Sequence, residues 1–253
     1  MSRLFPIAPD AASAAVRHAD ELARPVGAVL ATGHAALDAQ LPGGGWPVGA
    51  MVEILQAQSG QNEWRLLLPA LARSNPGPVV LVGAPHMPFG PGLSAQGLAP
   101  ERLLWIAAAE PAPRMWACEQ ALRCADVVAV LAWLPQARAD QLRRLQMAAS
   151  EHAKLLFVMR PAYAQAESSP AVLRLLASLQ AGNDGVQLEI LKRRGPPLIR
   201  PVCLPARNGR LAALLSRNQG RAGSRSAQGM PVATATGSVV RAGDVLDRIA
   251  SSP

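Results

Sequence analysis

Lysine is the scarcest of the common charged residues in this chain: among 25 basic residues in 253, only Lys154 and Lys192 are lysines. Cysteine is also rare. Cys118 and Cys124 stand six apart on a predicted helix and so on different faces, and with Cys203 they make neither a disulfide framework nor a thiolate metal site. Four histidines, His18, His34, His86 and His152, have no HxH or HxxxH spacing, so a zinc site has no support. This cysteine usage fits a reducing cytoplasm. The longest apolar runs, such as VVAVLAWL (Val127 to Leu134), fall well short of the ~20 residues of a membrane-spanning helix. The first stretch, MSRLFPIAPDAASAAVRHADELARP, carries Asp10, Asp20 and Glu21 and does not read as a secretory signal.

Acidic residues are missing from one region in particular. Through residue 190 the charges nearly cancel, whereas residues 191–253 hold 11 basic residues against only Asp244 and Asp247. The same region is rich in Gly, Ser, Ala and Arg and poor in large apolar side chains, a composition that cannot offset the entropy of ordering. Three parts follow: an N-terminal extension over 1–27, a core domain over 28–205, and a basic, low-complexity, disordered arm over 206–253. Arg210, Arg217, Arg221 and Arg225 can meet nucleic-acid phosphates or an acidic protein surface, or can simply solvate a tail. Leu211, Leu214 and Leu215, within LAALL, form a short amphipathic turn that offers a partner-docking alternative.

The core reads as alternating strand and helix. Strands are predicted over 51–55, 79–83, 103–107, 127–133, 155–160 and 186–192, with a weaker one over 199–204; helices are predicted over 63–73, 113–124 and 138–152. In the third helix Leu142, Leu145, Gln146 and Ala149 share one face. The early strands are nearly continuous apolar runs, as strands covered on both sides must be, which argues for a parallel α/β sheet. VQLEILK alternates instead and suits an antiparallel edge or hairpin.

Chemistry in such sheets belongs at the carboxyl ends of the strands. After MVEIL comes QAQSGQNEW, set between strand and helix where a phosphate cradle would lie. A working cradle uses glycines to expose backbone N–H groups, a lysine for the outer phosphates and a hydroxyl for Mg²⁺. Here Gln56 stands at the first glycine position, Gly60 at the second, Gln61 at the lysine position and Asn62 at the hydroxyl position. Ser59-Gly60 reads as an ordinary turn and Asn62 as the N-cap of the next helix.

The lead-in TGHAALDAQLPGGGWPVGAMVEI (Thr32 to Ile54) resembles that of a RecA-type core, in which TG, a leucine–aspartate pair and a glycine-rich turn precede the first strand. LPGGGWP, followed by RLLLPALAR, AVLAWLP and EILKRRG, is similar to the ImuA family of translesion DNA synthesis accessory proteins, a RecA-like and SulA-like group of the bacterial DNA-damage response. The similarity spans roughly residues 28–205. It implies a RecA-like (P-loop NTPase-type) mostly parallel sheet flanked by helices, with a degenerate nucleotide site. The family's general base follows the second strand, where Gly83-Ala84-Pro85-His86 offers proline, and its Walker B aspartate matches Leu131 or Ala132.

The resemblance therefore implies a non-catalytic accessory protein of SOS-induced mutagenesis, with no cofactor and no metal. Its partners would be a Y-family polymerase-like protein and a damage-tolerant replicative polymerase, with the RecA filament and DNA as further candidates. The alternative is a SulA-type cell-division inhibitor that binds a tubulin-like division protein; the basic arm and the glycine–tryptophan lead-in favour the first.

Several prominent residues have plain structural explanations. Trp46, Trp105, Trp116 and Trp133 are expected in the core, His86 in a loop, and Glu119 in an i,i+4 surface pair with Arg123. Arg193 and Arg194, in the KRRG run at the end of VQLEILK, either face phosphates or discourage edge pairing.

Overall fold

The computed structural model describes residues 27–180, 185–198 and 200–205, all of them within the first of the chain's two units, Met1–Asn208. The expected contacts Arg210, Leu211, Leu214, Leu215, Arg217, Arg221 and Arg225 lie outside the described residues.

The strands are β1 (Val29–Leu30), β2 (Trp46–Pro47), β3 (Ala50–Gln56), β4 (Val79–Val82), β5 (Leu103–Ile106), β6 (Ala129–Trp133), β7 (Leu155–Pro161), β8 (Leu173–Leu179), β9 (Val186–Lys192) and β10 (Val202–Leu204). The α-helices are α1 (Ala35–Asp38), α2 (Glu63–Leu71), α3 (Gly90–Ser94), α4 (Pro111–Arg123) and α5 (Ala139–Glu151). Eight strands form one sheet in the order β10-β9-β8-β3-β7-β6-β4-β5. Pairing is parallel from β8 through β5 and antiparallel at β8–β9 and β9–β10. The protein is thus α/β, with a mostly parallel sheet covered by helices on both faces.

The two-sided burial follows from the period of the strands. On β6, Ala129, Leu131 and Trp133 pack into one cluster with Leu66, Leu67 and Leu71 of α2, while Val130 and Ala132 pack into a second with Cys118 and Leu122 of α4 and Leu142 and Leu145 of α5. The expected face of α5 is the one that docks: Leu142, Leu145 and Ala149 are buried, and Gln146 Oε1 accepts the Met51 N–H at 2.7 Å.

The glycine-rich lead-in has a steric cause. Gly45 lies so close to the Leu30 backbone, where β1 pairs with β2, that a Cβ there would collide with the Leu30 carbonyl. That contact delivers Trp46 into the first cluster, fully buried and edge-on to Phe157 with ring centroids 5.4 Å apart.

Three expectations need correcting, and a fourth is narrowed. β8 was not foreseen: VLRLLASLQ has no β-branched residue after Val172, and pairing with β3 overrides its helical propensity. Of the two readings of VQLEILK, the antiparallel hairpin holds, since β9 pairs antiparallel with β8, while β10 rather than β9 takes the sheet edge. Trp133 is core, but Trp116 is 66% exposed and Trp105, on the edge strand β5, is 41% exposed. Glu119 is largely buried, and its partner is Arg144 of α5 rather than Arg123: Arg144 donates to Oε2 at 2.9 Å and lies 2.7 Å from Oε1.

Candidate functional site

Strand β3 lies inside the sheet, and its connection through α2 leads to β4, three places away, past β7 and β6. In open α/β sheets such a rearrangement of order marks the strand ends where ligands settle. The loop at the carboxyl end of β3 runs from Gln56 to Asn62, and its donors converge on the residue that follows it.

Glu63, the first residue of α2, is buried. Its Oε1 accepts from Gln56 Nε2 at 2.5 Å, from the Gly60 N–H at 2.7 Å and from Trp133 Nε1 at 2.9 Å, while Oε2 accepts from the Asn62 N–H at 3.0 Å. The carboxylate thus meets two backbone N–H groups of the turn, the side chain at the end of β3 and the indole at the end of β6. Asn62 holds the N-cap position but makes no side-chain cap bond, contrary to expectation. Its Oδ1 and the Oε1 of Gln56 are buried with no hydrogen-bond partner.

Gly60 has φ +92°, and the His86 ring sits where a Cβ would be, so the loop after β4 closes over the loop after β3. Ser59 and Gln61 are exposed, and Gln61 Nε2 donates to Gln58 Oε1. The β6 residue that reaches the loop is Trp133, not Leu131 or Ala132, whose side chains belong to the two cores. His34 anchors the other side of α2, with Nε2 3.3 Å from the Leu66 carbonyl; burial lowers its pKa from 6.5.

A second buried carboxylate lies on β3 itself. Glu53 Oε1 accepts from Arg160 Nη1 of β7 at 3.1 Å and Oε2 from Arg174 Nε of β8 at 2.5 Å, so three neighbouring strands share one ion-paired cluster. Arg160 also reaches Glu167 at 2.7 Å and the Ala137 carbonyl at 3.1 Å, and Arg174 donates to the Ala164 carbonyl at 2.8 Å. Burial works to lower the Arg160 pKa, but the hydrogen bonds and charges of Glu167 and Glu53 outweigh it and raise the value.

Farther along the same sheet end, a cleft of about 340 Å³ opens between the loops after β5 and β6. Glu110, Arg114, Met115, Leu134, Gln136 and Gln141 line it. Arg114 spans the strand ends there, donating to the carbonyls of Ala108 at 2.6 Å and Trp133 at 3.4 Å.

Of the basic residues expected at a contact surface, Arg193 is half-buried and donates to the carbonyls of Pro196, at 3.0 Å, and Gln40. Arg194 is exposed.

The sequence carried signals for what was missed. An acidic residue at the first position of a helix after a polar turn satisfies free N–H groups, and charged residues inside apolar strands (MVEIL, LLFVMR, VLRLL) have to be paired.

No family model matches the chain, and a search of curated proteins finds no match.

Among the described residues, no helix is long and apolar enough to cross a membrane.

Proposed function

We propose that this chain is a RecA-like accessory protein of damage-induced translesion DNA synthesis that works by recognition rather than by nucleotide hydrolysis. The observation that carries the reading is the loop after β3, whose inward donors are taken by the Glu63 carboxylate while Gln61 stands in the place of the phosphate-binding lysine. On the RecA-type pattern, Pro85 stands where the general base would be and Leu131 or Ala132 where the metal-binding aspartate would be, and none of them carries a carboxylate. The lead-in LPGGGWP supports the ImuA-type assignment, and the partners that follow are a Y-family polymerase-like protein and a damage-tolerant replicative polymerase.

Deleting the gene and measuring mutation frequency after DNA damage tests the role. Damage-induced mutation should fall toward the uninduced level and return on complementation, and undiminished induced mutagenesis would exclude it. Capture from damaged cells adds a second discriminator: recovery of a tubulin-like division protein in place of the polymerases would favour the cell-division reading. The purified protein is expected to show no magnesium-dependent ATP turnover above that of a Gln61→Glu control.

A further inference from the structure

The four donors around Glu63 do not merely decorate a turn. A strand–loop–helix unit directs its free N–H groups inward because the first turn of a helix has no carbonyls of its own to satisfy them, and in a phosphate cradle those groups wrap an oxyanion. In this protein the group they wrap is a side-chain carboxylate, reached from the first residue of the helix. We infer that the loop from Gln56 to Asn62 is an intact oxyanion site whose permanent ligand is the Glu63 carboxylate, and that a small free carboxylate such as formate will occupy it once that side chain is removed.

Two features of the site support this. The donors come from separate parts of the fold: the Gly60 and Asn62 N–H groups from the turn, Gln56 Nε2 from the end of β3, and Trp133 Nε1 from β6, 70 residues along the chain. Gln56 and Trp133, held by the ends of β3 and β6, do not depend on Glu63 for their position. Secondly, the loop is braced from outside, since His86 packs on Gly60. A nucleotide phosphate meets a site already holding an anion tethered at high effective concentration. Occupancy, as well as the missing lysine, therefore keeps nucleotides out, and the inference stands whether or not the chain acts in translesion synthesis.

The test uses the full chain, with sodium formate as the probe and sodium chloride at equal ionic strength as the control. Glu63→Ala should melt below the wild type in chloride. Formate should raise its Tm in a saturable way, by roughly 3–6 °C at tenfold excess over Kd, and leave the wild type unmoved. Glu63→Leu, which fills the space with an apolar side chain, should not respond. An equal formate response in Glu63→Ala, Glu63→Leu and wild type would overturn the inference. If Glu63→Ala does not fold in chloride, the Trp133 indole N–H resonance decides, assigned through Trp133→Phe. It should lie downfield in the wild type and move upfield in Glu63→Gln, and an unmoved resonance would mean that the carboxylate is not its ligand.

Discussion

Glu53 and Glu63 are both buried acids of one strand–loop–helix unit, yet they are neutralised by opposite means. Glu53 sits within β3, where the backbone N–H groups are committed to the ladder with β7 and β8, so only side chains can approach it, and two guanidiniums do. Glu63 sits where the ladder has ended and the helix has just begun, where N–H groups are in surplus. Strand interiors thus hold a buried charge with counter-charges, and strand-to-helix turns hold one with dipoles. The first arrangement knits three strands together; the second gathers the donors of the loop and of two strand ends on one carboxylate.

Breaking the Glu53 side should have the larger effect. Glu53→Gln removes the carboxylate that Arg160 and Arg174 share and leaves Glu167 paired with Arg160, and stranding buried charge costs about 3–5 kcal/mol. That is a large part of the ~5–15 kcal/mol that holds an ordinary domain together. Chemical denaturation should show the midpoint falling steeply. Replacing all three residues with apolar ones of similar volume, as in Glu53→Met with Arg160→Met and Arg174→Leu, should return most of the loss, because the triad's desolvation cost disappears along with its attraction.

Breaking the Glu63 side is milder, because each donor is one of four. Trp133→Phe keeps an aromatic ring but removes the indole N–H together with some buried volume, and the hydrogen bond to a charged group alone is worth about 1.5–3 kcal/mol. Denaturation of Trp133→Phe alone, of Glu63→Gln alone and of the pair together forms a double-mutant cycle. A coupling near zero would mean that the indole and the carboxylate do not act together.

The same contrast explains what the sequence could tell. Periodicity located α2, α4 and α5 and five strands of the parallel sheet, because burial on two faces leaves continuous apolar runs. It did not locate β8, whose Leu173, Leu175 and Ala177 are buried but whose local propensity favours helix; only the neighbouring β3 makes it a strand. The loop after β3 was found by its place between strand and helix, yet its organising residue was overlooked. Three of the donors to Glu63 lie within seven residues of it and follow from its place at the helix start, but the contact with Trp133 across 70 residues leaves no trace in local spacing. Trp116 and Trp105 failed for a related reason: an apolar residue names a preference for burial, while the position of α4 and the edge place of β5 decide whether anything covers it.

The smallest effect sharpens the comparison from outside the core. Arg144 and Glu119 join α5 to α4 with a short contact, but the arginine side chain is 66% exposed, so water and salt screen the pair on one side. Arg144→Ala should cost only about 0.2–1 kcal/mol, and raising the salt should shrink that cost, since an exposed guanidinium is within reach of counter-ions. The loss from Glu53→Gln should be nearly insensitive to salt, because Arg160 is buried and no counter-ion can replace Glu53 beside it. Measuring both variants at low and high ionic strength separates two causes that a single denaturation curve merges. If the Arg144→Ala cost held constant across that range, the contact with Glu119 would be contributing through packing of the arginine stem on α4 rather than through charge.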